Sequence, residues 1–413
     1  MRMSTLEILS LLFLTAAVFG LLSARWLRLP VTIGTMMLTV LVSASLMVVA
    51  SRVPGIHQWA AHLMQRIDFE TLILHGMLPL LLFAGAFLLD LEYLAREKLT
   101  VSLLSIAGTT ICFLLVSISM HWLSGGRLPW MGCFIFGALI SPTDPIAVLE
   151  MLRRVGVSRR IEAQLAGESL FNDGIGAVLF LTMLAIARGN APTPWSVGTL
   201  LIAKAGGAVA VGIAAAWITS RLMRMLDSYQ IGILFTISLA LGGYVIADRL
   251  SLSAPLEAVV AGIALRHFNR RLTEECIEHE QIDRFWELID EIQNCVLFVL
   301  LGVEAMAISL NADAVRAGLS AIGSVNLVRF GVVAVLLGIV GLFQPEHKSS
   351  LFVLTWGGLR GGLSIALALS VPEALGRSWI VDATYLVVVF SIVIQGGSMD
   401  WILRSRKARS LAA

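Results

Sequence analysis

The sequence predicts an all-α polytopic membrane protein of about thirteen transmembrane helices built as two inverted repeats, each with one broken helix. Three observations predict it. The first is composition. Of 413 residues, 57% are hydrophobic and only 14% charged, and the mean hydropathy is +0.86. A soluble domain carries about 25% charged residues, so the polar surface of a soluble fold of this size is missing. The second is recurrence. Apolar stretches fall at 5–23, 30–50, 70–90, 100–122, 129–152, 161–188, 195–222, 229–248, 254–267, 282–303, 316–342, 349–371 and 380–403. In lipid each must close its backbone hydrogen bonds internally, which makes helix the default. The third is a pair of interruptions, Ser141-Pro142-Thr143-Asp144-Pro145 in the fifth stretch and Gly357-Gly358-Leu359-Arg360-Gly361-Gly362 in the twelfth. They lie seven stretches apart and therefore in opposite orientations, the pattern of inverted halves that meet at a transport site.

The elements follow in order. The first stretch, Leu6 to Leu22, has no basic leader beyond Arg2 and is followed by many of its kind, so it reads as a span and not as a signal peptide. The chain forms a single transmembrane domain over 1–413, with repeat 1 at about 5–188, a linking helix at about 195–222 and repeat 2 at about 229–403. The longest polar stretch, His267 to Asp283, reads as a cytoplasmic loop. Residues 404–413 form a short basic tail, which belongs in the cytoplasm. Alternating back from it, the cytoplasmic loops hold roughly twice as many Lys and Arg as the outer ones, which sets the amino terminus outside. Net charge is +2, which argues against a nucleic-acid partner. Cys112, Cys133, Cys276 and Cys295 have no metal or disulfide spacing, and no nucleotide motif is present, so no cofactor is expected.

The chemistry concentrates in four places. Pro142 and Pro145 donate no backbone hydrogen bond, so carbonyls of the preceding turn are freed around Thr143 and Asp144. Carboxylate, hydroxyl and free carbonyl are hard oxygen donors suited to a small alkali cation. The bland alternative is a proline kink with a capping Asp. The sixth stretch reads Gly167-Glu168-Ser169-Leu170-Phe171-Asn172-Asp173-Gly174. Glu168 and Asn172 share one face, and Ser169 and Asp173 share the adjoining strip. Glu168 alone would also fit a polar patch at the helix end, whereas Asp173 lies too deep for that. Arg329, in the eleventh stretch, needs a buried partner, and Glu168 is the natural one. Arg360 in the twelfth either offsets carbonyl ends of half-helices or snorkels to an interface.

Thr143-Asp144-Pro145, Gly167-Glu168-Ser169 with Asn172-Asp173, Arg329, Gly357-Gly358-Leu359-Arg360-Gly361 and the Leu29-Pro30-Val31-Thr32-Ile33-Gly34 entry to the second stretch resemble the NhaP and NHE branch of the monovalent cation/proton antiporters. The resemblance spans nearly the whole chain. It implies an NhaA-like fold with two crossing broken helices, and a homodimer whose core domain moves against a dimerisation domain. It implies a secondary active transporter, not an enzyme, that exchanges Na+ or Li+ for H+ across a bacterial inner (plasma) membrane. In that reading Asp173 carries either a proton or the cation. Thr143, Ser169 and Asp144 help to coordinate Na+, Asn172 holds the geometry, and Glu168 with Arg329 forms a buried pair. Electrogenic relatives carry Asp-Asp where this chain has Asn172-Asp173, which implies electroneutral one-for-one exchange. A potassium–proton antiporter would use the same donors, and a channel would conduct current instead. An intramembrane metalloprotease lacks its His-Glu-x-x-His here.

Overall fold

The computed structural model describes residues 5–27, 31–50, 71–156, 158–189, 194–225, 228–273, 277–305, 312–343, 351–399 and 401–403. The basic tail at 404–413 and the Leu29-Pro30 step lie outside the described residues. Among those described the chain is helical, with one isolated bridge and no strand. Helix α1 spans Thr5–Leu22 and α2 Val31–Ala50. A π-helical segment, Thr71–Met77, leads into α3, Leu78–Phe87. Short α4, Leu91–Arg96, starts where the Asp90 carboxylate accepts from the Glu92 and Tyr93 amides. Helix α5 covers Lys98–Leu123. The fifth stretch yields α6, Trp130–Ile140, and α7, Ile146–Val155. Then come α8 (Arg159–Ala187), α9 (Pro194–Met223), α10 (Tyr229–Arg249), α11 (Ala254–Thr273), α12 (Ile277–Ala305) and α13 (Ala312–Phe343). The twelfth stretch also yields two helices, α14 (Leu351–Trp356) and α15 (Gly362–Leu369), and α16 follows over Arg377–Phe390.

Among the described residues, six helices are long and apolar enough to cross a membrane: Lys98–Leu123, Arg159–Ala187, Ala203–Met223, Tyr229–Arg249, Ala312–Gly341 and Arg377–Leu403. Helix α13 shows how such a segment sorts its residues. Leu319, Leu327, Phe330 and Val335 are exposed, as suits a lipid-facing stripe, while Arg329 points inward and is buried.

One sequence expectation is corrected. Within His267 to Asp283 the described residues are helical and not loop: α11 runs to Thr273 and α12 begins at Ile277. Polar residues extend the two helices because their charges pair. Arg266 donates to both carboxylate oxygens of Asp283, at 2.7 and 2.9 Å, and Arg284 donates to Glu280 at 2.6 Å.

The helices pack in two groups. Helices α5, α6, α8, α13, α15 and α16 form one, and α2, α3, α9, α10, α11 and α12 form the other. Fully buried Trp286 of α12 anchors the second group, packing at a tilt against Phe83 of α3 and donating its indole N–H to Thr236 of α10 at 3.0 Å. Helix α8 belongs to the first group and also touches α11 and α3, so it lies where the groups meet.

Candidate functional site

Pro142 and Pro145 flank a segment, 141–145, where helix stops between α6 and α7. A glycine-rich segment, 357–361, separates α14 from α15. The two segments meet as an isolated antiparallel bridge in which the Asp144 amide donates to the Leu359 carbonyl at 2.8 Å. Backbone of one non-helical segment is thus partly satisfied by backbone of the other, which permits irregular chain inside an apolar bundle. The approach is close. A Cβ added to Gly361 would lie 2.1 Å from Asp144 Oδ2 and 2.7 Å from Asp144 Cβ. We therefore expect Gly361→Ala to push the segments apart and to destabilise the fold by about 1–3 kcal/mol in thermal unfolding in detergent. Wild-type stability of that variant would show that the close contact is not needed.

Helix α8 reaches the junction with two strips of side chains. On the first, the Thr143 amide donates to Asn172 Oδ1 at 3.2 Å, and Asn172 Nδ2 donates to the Thr143 hydroxyl at 2.8 Å. One turn back, Glu168 is paired with Arg329 of α13 in a short, fully buried contact. Arg329 also donates to the Leu354 carbonyl of α14 at 3.1 Å. One turn further, Gln164 donates to Glu97 at 2.7 Å, and Arg160 pairs with the same carboxylate at 2.7 Å. Arg160, Gln164, Glu168 and Asn172 recur every fourth residue, so a single face of α8 is fastened to three other parts of the chain.

The second strip carries Ser169 and Asp173. The Ser169 hydroxyl donates to the Thr143 carbonyl. Asp173 is half-buried and has no hydrogen-bond partner among the described residues. The charged groups that act on it are Asp144 and Arg360. Arg360 is only 3% exposed and donates from Nη1 to the Pro142 carbonyl at 2.9 Å. Of the two roles the sequence leaves open, the geometry has the guanidinium on a freed carbonyl and not at an interface. All eight residues singled out from the sequence, Thr143, Asp144, Glu168, Ser169, Asn172, Asp173, Arg329 and Arg360, therefore come together around the junction.

Sequence reasoning did not single out Glu97, Gln164 or Glu257. Glu257 of α11 is fully buried against Gly243, and neither carboxylate oxygen has a hydrogen-bond partner among the described residues. A signal was present: a carboxylate within Pro255-Leu256-Glu257-Ala258-Val259 is costly and needs a reason. Gln164 sits in the same four-residue series as Glu168 and Asn172.

Long apolar helices packed around a cluster of charged side chains define a multi-pass membrane protein. The chain belongs to the transmembrane sodium/hydrogen exchanger family, whose model matches residues 13–405. It is 37% identical over 390 residues to the Na(+)/H(+) antiporter NhaP of Pseudomonas aeruginosa, covering 92% of each chain. It is 31% identical over 405 residues to the Na(+)/H(+) antiporter NhaH of Halobacillus dabanensis, covering 97% of each. Its fold is similar to that of the sodium proton antiporter MjNhaP1 from Methanocaldococcus jannaschii, with a TM-score of 0.72, 20% identity, and 95% and 98% of the two chains covered.

Proposed function

We propose that the chain is an electroneutral Na+(Li+)/H+ antiporter that exchanges one cation for one proton by alternating access. The observation that carries this reading is the unequal treatment of Glu168 and Asp173 on α8. Glu168 is held by Arg329, whereas Asp173 faces the junction with no hydrogen-bond partner among the described residues. Of these two, Asp173 is the carboxylate free to exchange its occupant. A proton and a sodium ion compete for its single charge. Coupling is obligatory if only the neutralised site crosses between the two access states. Asp144, Thr143 and Ser169 supply hard oxygen donors beside it. Asn172 supports the one-for-one ratio, since its amide uses both a donor and an acceptor on Thr143, and Asp in its place would lack the donor.

The reading extends to architecture. Thirteen spans put the amino terminus outside, with the repeats at about 5–188 and 229–403 inverted about α9. The gaps at 141–145 and 357–361 are the breaks of two crossing helices. The α5–α8 and α13–α16 group is the moving core. The other group joins two copies into a homodimer in a bacterial plasma membrane.

Inverted vesicles holding a pH gradient test the function. Sodium and lithium are expected to collapse the gradient, and potassium is not. The rate is expected to stay constant when the membrane potential is clamped at different values. Collapse by potassium alone would reassign the cation. A rate that follows the clamp would overturn the one-for-one ratio.

A further inference from the structure

A buried polar chain runs behind the junction, away from the residues assigned to the cation. The Arg360 amide, exposed by the break in helix, donates to Ser391 Oγ at 2.8 Å. Ser391 donates to Gln395 Oε1 at 2.7 Å. Gln395 Nε2 donates to Asn326 Oδ1 at 2.9 Å. Asn326 Nδ2 donates to the Ile322 carbonyl of its own helix at 2.8 Å. Ser391 and Gln395 lie in a π-helical segment, Ser391–Gly396, that continues α16. Such segments widen a helix and often occur at functional sites. Ser391, Gln395 and Arg360 are buried.

The direction of this chain is forced from one end. A backbone amide only donates, so Ser391 must accept from Arg360 and send its own proton onward. Gln395 must then present its oxygen to Ser391, which leaves its amino group for Asn326. Asn326 must in turn present its oxygen to Gln395 and its amino group to Ile322. Every link has one allowed orientation. Asn326 and Arg329 are three residues apart, so α13 grips the junction twice. Arg329 holds Glu168 and Leu354, and Asn326 holds the Arg360 backbone through two intermediaries. The Arg360 guanidinium, whose position follows its backbone, rests on the Pro142 carbonyl two residues from Asp144.

We propose that Ser391, Gln395 and Asn326 are positioning residues for cation exchange, a one-directional hydrogen-bond relay that fixes Arg360 at the junction and so sets the geometry met by the cation. This rests on the antiporter reading. A relay that only glues helices would affect yield, or rate and apparent affinity together. A relay that positions the site changes apparent affinity first. In vesicles matched for protein, Ser391→Ala is expected to raise the apparent KM for sodium about tenfold with kcat changed less than about threefold, since it leaves a buried amide without its acceptor. Ser391→Thr, which keeps the hydroxyl, should return KM toward the wild-type value. Gln395→Leu leaves the Arg360 amide on Ser391 and guards against misfolding of the first variant. It should raise KM in the same sense and move the pH at which the rate is half-maximal. Wild-type KM in both Ser391→Ala and Gln395→Leu overturns the relay. So does a parallel fall of yield and kcat that Ser391→Thr does not reverse. Absence of sodium-dependent exchange in wild type overturns the antiporter reading and the relay's role with it, and is seen before any variant is measured.

Discussion

Asp173→Asn should abolish sodium-dependent collapse of a pH gradient in inverted vesicles, to the level of vesicles without the protein. The substitution is nearly isosteric, so the fold should survive. Asparagine neither takes up a proton near neutral pH nor offers a negative charge to sodium, so both halves of the exchange are lost together. Neighbouring groups do not replace it. Glu168 is held by Arg329, and Asn172 is bound to Thr143 at both ends of its amide. The expected phenotype is a protein of wild-type abundance and melting behaviour with no exchange at any pH. Residual coupled exchange above a few per cent of wild type would move the carrier role elsewhere, with Asp144 the first residue to substitute next.

Glu168→Ala should produce the opposite profile: a large loss of stability with the cation preference of any surviving protein unchanged. Removing one partner of a buried ion pair leaves the other charge uncompensated, which typically costs about 3–5 kcal/mol. Here the orphan would be Arg329, a residue with only 3% of its surface exposed, and among the described residues it would keep just the Leu354 carbonyl as a hydrogen-bond partner. Thermal unfolding in detergent should fall well below wild type, and Arg329→Ala should fall with it. The double substitution Glu168→Ala with Arg329→Ala should recover part of the loss, because no unpaired charge remains. A stable Glu168→Ala protein with altered sodium-to-lithium preference would make Glu168 a ligand of the cation instead.

The all-helical class was legible because a lipid-embedded segment has little freedom in composition, and the runs of apolar residues mark helix almost directly. The candidate site was legible for a related reason. Proline pairs, glycine runs and charged residues are rare inside such segments, so Asp144, Glu168, Asp173, Arg329 and Arg360 stand out against their neighbours. Legibility failed where these contrasts vanish. Between His267 and Asp283 the sequence is polar, and polarity alone does not separate a loop from a helix that continues into water. Only the Arg266–Asp283 pairing, between residues 17 apart, shows that the helices continue. Ser391, Gln395 and Asn326 were missed because uncharged polar residues are common in membrane helices, and although Ser391 and Gln395 are four apart, no local spacing joins them to Asn326. Gln395 and Asn326 are 69 residues apart and meet only through packing.

The fastened face of α8 has a mechanical consequence. Its contacts repeat every four residues, which is about 6 Å of helix rise. A slip of one turn against α13 would bring Gln164 or Asn172 opposite Arg329, trading a carboxylate for an amide and stranding a guanidinium in a dry interior. Smaller slips would break the contacts without forming new ones. The register of α8 is thus locked like a key in its wards, so that α8, α13 and the junction between them form one interlocked unit.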